Sequence, residues 1–164
     1  MSQFGISQPV KRREDPRLLR GQGCFSDDLN PANCLHAYVL RSEFAHARIE
    51  TIDCQAAQAA PGVVAVFTGA DIDNAGIGKI PCLVTPPTTA DSEFIAHNQP
   101  LLATDEVRFV GEGVAFIIAE TLLQAQSAAE LIEIDYHSLT PLTGCETATT
   151  EQAPQVWADA KDNT

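Results

Sequence analysis

The segment 106–139, EVRFVGEGVAFIIAETLLQAQSAAELIEIDYHSL, decides the fold class. EVRFV (106–110) and VAFIIAE (114–120) have strand composition and are separated by Gly111-Glu112-Gly113, a turn. Thr121 then offers a helix N-cap, with Gln124 at the capping-box position three residues on. In the helix that follows, Leu122, Ala125, Ala129 and Ile132 recur on one face, which predicts an amphipathic helix lying on a sheet. Its alanines permit close approach. IEIDYHS (132–138) alternates Ile132, Ile134 and Tyr136 against Glu133 and Asp135, the pattern of a half-buried strand. The spacing therefore places Leu122, Ile132 and Ile134 between this helix and the sheet carrying VAFIIA. Strand, helix and strand with one apolar face each make an α+β layer.

Upstream the same grammar continues in shorter pieces. LHAYVL (35–40) and ARIETID (47–53) read as strands. Asp53 can cap a short Ala-rich helix, CQAAQAA, which must stop at Pro61-Gly62. Val63–Thr68 (VVAVFT) is an apolar run flanked by Gly62 and Gly69, which predicts a buried strand. Residues 69–100 carry Pro, Thr and Gly with little periodicity and read as a long loop, functional or mobile. Residues 1–33 read as an extended arm with turns, 34–145 as the α+β domain, and 146–164 as a polar segment.

A length of 164 residues fits one domain, and 45% hydrophobic residues supply a core. The net charge of −12 disfavours nucleic acid and anionic membrane surfaces as partners. The charge is uneven: residues 1–20 hold Lys11, Arg12, Arg13, Arg17 and Arg20, and beyond Arg108 the only basic residue is Lys161. No run approaches the roughly 18 apolar residues of a membrane span. MSQFGISQPVKRRED lacks the apolar stretch of a secretory signal, and five scattered cysteines do not make a disulfide framework, so the expected compartment is the cytoplasm. Cys24, Cys34, Cys54, Cys82 and Cys145 form no CxxC and no iron–sulfur spacing.

Chemistry-bearing motifs are absent. Three Gly-x-Gly pairs (Gly21/Gly23, Gly76/Gly78, Gly111/Gly113) lack the third glycine of a dinucleotide fingerprint, since Ser26, Pro81 and Phe116 stand there. They read as turns. His36, His46, His97 and His137 show no metal-ligand spacing and read as surface or hydrogen-bonded structural residues. Asp27-Asp28 reads as a solvated turn rather than a cation site. There is no GxSxG elbow, and no cysteine has basic neighbours to activate it. The reading assigns no catalytic, no cofactor-binding and no metal residue.

The motifs GISQPVKRREDPRLLRGQGCFSDDL, LHAYVLRSEFAHARIETID, PGVVAVFTGADI and QPLLATDEVRFVGEGVAFIIAETLLQAQSAAELIEIDYHSLTPL, in this order, resemble one family. It is the N-terminal a/b hammerhead domain of the molybdenum hydroxylase large subunit, the xanthine dehydrogenase, aldehyde oxidase and carbon monoxide dehydrogenase family. The likeness spans roughly residues 5–142. Gly113 departs from the proline usual there, and Cys24 from the usual Arg or Lys. The resemblance implies an α+β hammerhead, a mixed sheet with a few short helices packed on it. It also implies a non-catalytic, structural and interface-forming domain, inactive alone.

In the intact subunit the resemblance implies downstream domains that bind molybdopterin in its dinucleotide form. Iron–sulfur and FAD-containing partner subunits would carry the electrons. The enzyme would oxidise an aldehyde, an N-heterocycle or carbon monoxide with water-derived oxygen. The ending at Asn163-Thr164 is then expected to lead into those missing domains. The alternative is a free-standing module that binds a small ligand or a protein.

Overall fold

A computed structural model describes residues 11–83, 97–160 and 163. The chain divides into two compact units, Met1–Cys34 and Leu35–Thr164. In the first, α1 (Asp15–Leu18) is a single turn with proline in its first turn, followed by a 3-10 turn at Ser26–Asp28. Asp28 closes that turn by accepting a hydrogen bond from the Phe25 N–H at 2.9 Å, so one of the two adjacent aspartates is a capping residue.

The second unit has the order β1 (His36–Arg41), β2 (Ala47–Asp53), α2 (Gln55–Gln58), β3 (Val63–Thr68), α3 (Gly69–Asn74) and β4 (Glu106–Val107). β5 (Gly113–Ala119), α4 (Leu122–Ala129), β6 (Glu133–Ser138) and α5 (Cys145–Ala148) follow. The strands form two three-stranded sheets, β1-β5-β3 and β4-β2-β6, each antiparallel at every pairing. Short helices on sheets make this the expected α+β fold. The segment quoted above supplies strands to both sheets, and α4 carries the chain from β5 in one to β6 in the other.

β5 is central because its sequence can be buried on both faces: Val114, Ala115, Ile117 and Ala119 have no exposed surface. β3 is an edge strand, which corrects the buried-strand expectation. Only Val66 of its residues is buried, and Val64 is 56% exposed. An apolar run marks a strand but not its place in the sheet.

α4 begins as read: the Thr121 hydroxyl accepts from the Gln124 N–H at 3.2 Å and donates to the Gln124 side-chain oxygen at 2.8 Å. Its buried face is Ala125, Ala128 and Ala129, whereas Leu122 is 46% exposed, contrary to its expected burial. At 100° per residue Leu122 lies roughly 70° from the centre of that face. It also sits in the first turn, where side chains lean off the helix end. Ile132 is buried as expected, whereas Ile134 is only half-buried and lies on β6, in the other sheet.

Two other expectations change. The strand at 106–110 is only two residues long, because the Arg108 N–H donates to the Glu112 carboxylate at 2.6 Å and Gly111, at φ +92°, turns the chain. The stretch 69–100 opens with the helix α3 and is stitched at Ile80 and Gln99 by paired backbone hydrogen bonds of 2.8 and 3.0 Å. Its middle, 84–96, lies outside the described residues, as do residues 1–10 of the arm.

Two apolar clusters fill the unit. One joins α2 and α4 to the sheet of β5 through residues such as Ala57, Val66, Ile117 and Ala125. The other gathers Ala47, Ala103, Val107 and Val114. Ile52 and Ile134, register partners on β2 and β6, pack against both.

Candidate functional site

Buried polar groups are the first place to look for chemistry, since each must be satisfied or used. Among the described residues of this unit they are Ser42, His46 and Glu112. His46 precedes β2, which brings its ring beside Glu106 on the neighbouring β4. Its Nε2 is hydrogen-bonded to Glu106 Oε1 at 2.7 Å, and its Nδ1 donates to the Thr140 carbonyl at 3.0 Å. Both ring nitrogens are therefore engaged by protein. The pair braces β2, β4 and the chain leaving β6.

Glu112 is equally committed: its carboxylate accepts from the Arg108 N–H and, at 3.1 Å, from the Gln99 side-chain amide. The Ser42 backbone N–H donates to the Glu112 carbonyl at 2.8 Å, and the Gly111 N–H to the Ser42 carbonyl at 2.8 Å. Arg41 donates to the Gly111 carbonyl at 2.8 Å from the bulged end of β1. These bonds fix the 108–112 turn. No described side-chain polar atom that is buried lacks a hydrogen-bond partner.

A groove of about 450 Å³ runs along Leu40, Arg41, Glu43, Phe44, Ile132, Ile134, Asp135 and Tyr136, between the ends of β1 and β6. Burial raises the pKa of the Tyr136 phenol above its ordinary value, the nearby Glu43 carboxylate adds to this, and a hydrogen bond with Ser42 opposes it. The Phe44 ring packs on it with centroids 4.8 Å apart. Asp135 accepts from the Thr51 hydroxyl at 2.9 Å. Of the charges lining the groove, Arg41 and Asp135 are thus already hydrogen-bonded to protein.

Of the four histidines that stood alone in sequence, His36 on β1 and His137 on β6 are exposed. His46 is the hydrogen-bonded structural residue; His97 stacks on Trp157, with centroids 4.3 Å apart and planes 3° from parallel. Gly21, Gly76 and Gly111 all have positive φ, the turn reading. The His46–Glu106 pair was not read from the sequence, since its members are 60 residues apart. Among the described residues no three His, Cys, Asp or Glu side chains gather as a metal-binding group, and no described helix is long and apolar enough to cross a membrane.

Comparison with known proteins supplies what the side chains alone do not. The family model described as aldehyde oxidase and xanthine dehydrogenase, a/b hammerhead domain, matches residues 20–140. The chain is 40% identical over 134 residues to the nicotine 6-hydroxylase large subunit of Paenarthrobacter nicotinovorans, covering 82% of this chain and 16% of that one. It is 36% identical over 158 residues to the carbon monoxide dehydrogenase large chain of Afipia carboxidovorans, covering 96% and 18%.

Among solved structures, quinoline 2-oxidoreductase of Pseudomonas putida 86 superposes with a TM-score of 0.74 at 45% identity, covering 85% of this chain and 17% of that one. The Cu,Mo-CO dehydrogenase in its carbon monoxide reduced state gives 0.81 at 35% identity, covering 96% and 18%. The chain thus spans less than a fifth of the length of these relatives. With the two sheets, the short helices and the match over residues 20–140 together, the chain belongs to the a/b hammerhead domain family of the aldehyde oxidases and xanthine dehydrogenases.

Proposed function

We propose that this chain serves as the non-catalytic N-terminal domain of the large subunit of a molybdenum-dependent hydroxylase or dehydrogenase, with a structural and interface-forming role. One observation carries the reading: 96% of this chain superposes on only 18% of the Cu,Mo-CO dehydrogenase chain, so the fold recurs as one part of a much larger oxidoreductase polypeptide. In this reading residues 1–33 are an arm, 34–145 the hammerhead, and 146–164 the start of the path to molybdopterin-binding domains. Iron–sulfur and flavin subunits are the further partners, and the compartment is the cytoplasm. The intact enzyme oxidises an aldehyde, an N-heterocycle or carbon monoxide with water-derived oxygen.

The donor set tested against that cofactor does not fit it. A metal-bound oxygen nucleophile needs a base and an organised pocket, whereas the buried or half-buried groups Glu106, Glu112 and His46 are bonded to the protein's own backbone and side chains. No step is therefore assigned to these residues.

The test is complementation. A large subunit of this family expressed without its hammerhead domain, together with this chain, should give a complex that survives gel filtration and regains hydroxylase activity. Separate elution of the two pieces, each of them folded, would remove the reading and leave the free-standing module.

A further inference from the structure

We propose that residues 154–160, together with Asn163, form a latch, in which the Trp157 indole holds the segment after β6 and α5 onto Arg108 and His97. Four contacts converge on this segment from distant parts of the sequence. The Arg108 guanidinium carbon lies 4.0 Å from the centroid of the Trp157 ring, a cation–π contact. The same guanidinium donates through Nε to the Val156 carbonyl at 3.0 Å. The His97 imidazole stacks on the indole, and its Nδ1 is 3.8 Å from the Asp159 carboxylate.

The segment is also braced from within. The Asn163 side chain accepts from the Val156 N–H and donates to the Pro154 carbonyl, both at 3.1 Å. The Gln155 side-chain amide donates to the Ala160 carbonyl at 3.0 Å. A polar sequence with no apolar periodicity gains order here from one aromatic ring and its hydrogen bonds, and not from a helix or strand.

Of the two anchors, Arg108 belongs to the brace already described. Arg108 donates through Nη1 to the Glu106 carbonyl at 3.2 Å, and its Nη2 is 3.8 Å from the carboxylate that holds His46. Two residues beyond His97, Gln99 bridges Ile80 through its backbone and Glu112 through its side chain. A planar guanidinium stacked on indole restrains its neighbours more than a flexible ammonium does. The latch therefore links the bridge at Ile80 and Gln99 to the segment that follows α5. It stands on these contacts alone, independent of the reaction any larger subunit performs.

Trp157 is the only tryptophan in the chain, so its fluorescence reads the latch directly. In the folded 164-residue chain, acrylamide should quench it about twofold less than in the urea-unfolded chain, with blue-shifted emission. His97→Ala, Arg108→Lys and Asn163→Ala should each raise quenching toward the unfolded value while the far-ultraviolet circular dichroism stays native. Amide exchange should quicken at Gln99 and Val156 in the same variants. His97→Ala carries the test should Arg108→Lys not fold. Native wild-type chain quenched as readily as unfolded chain, or folded variants indistinguishable from wild type, would overturn the latch.

Discussion

Ile117 and Leu122 lie five residues apart in one segment, both large and apolar, yet burial separates them. Ile117 has no exposed surface at the centre of β5, and Leu122 keeps nearly half of its own. Ile117→Ala should therefore cost about 2–5 kcal/mol, transfer and cavity together. Leu122→Ala should stay within about 0.5–1 kcal/mol, because little apolar surface returns to water. Urea midpoints of the two variants measure this directly, and equal midpoints would contradict the placement of α4. Cys54 gives a second residue-scale outcome. Burial raises its thiol pKa first, and the carboxylates of Asp53 and Asp71 raise it further. The thiolate is the reactive form, so iodoacetamide at mildly alkaline pH should modify exposed Cys24 and Cys145 well before Cys54. Cys54 should label only as the chain unfolds; mass spectrometry of timed samples tells the order.

Single elements were legible where one local rule governed them. Thr121 and Gln124 predicted the start of α4 because a cap is a short-range bond, and the structure makes it. The helix at Gln55–Gln58 likewise follows Asp53, whose carboxylate accepts from the Gln55 N–H at 2.8 Å, with Cys54 in the cap position itself. The edge position of β3, the truncation of β4 and the His46–Glu106 pair were not legible, since each depends on which strand lies alongside. α3 was missed inside a stretch read as loop, although it has a capping box of its own. Asp71 closes it, with the Thr68 N–H and hydroxyl both donating to Asp71 Oδ2 at 2.7 Å. Those bonds, the backbone one foremost, lower the Asp71 pKa below its ordinary value. A carboxyl depressed in the folded state adds stability above its unfolded pKa, and this is lost as pH falls through the folded value. Asp71→Ala should thus lower the urea midpoint at neutral pH by an amount that starts to shrink as pH falls below about 4 and goes on shrinking through the depressed folded value, where the carboxyl takes up its proton. A difference that is constant with pH would mean that the carboxylate is not the cap.

For the second unit as a whole, the decisive feature is that two separate three-stranded sheets are joined by few shared residues. Sheets of three strands are near the lower limit of independent stability, so each gains from whatever packs on both. Ile52 and Ile134 do this: they are register partners on β2 and β6 and touch the apolar clusters of both sheets. The chain connectivity reinforces them, because α4 leads from the centre of one sheet to the edge of the other. If these contacts weld the sheets into one cooperative unit, damage on β6 must be felt on β5. Ile134→Ala should cost about 2 kcal/mol, the low end for truncating isoleucine, because the side chain is half-buried. The loss should appear equally in amide exchange of Ile117 in the β1-β5-β3 sheet and of Ile52 in the β4-β2-β6 sheet, with one thermal transition. Exchange that quickens in the β4-β2-β6 sheet alone, with β5 still protected, would show two independently stable halves, and the isoleucine pair would then be packing without coupling.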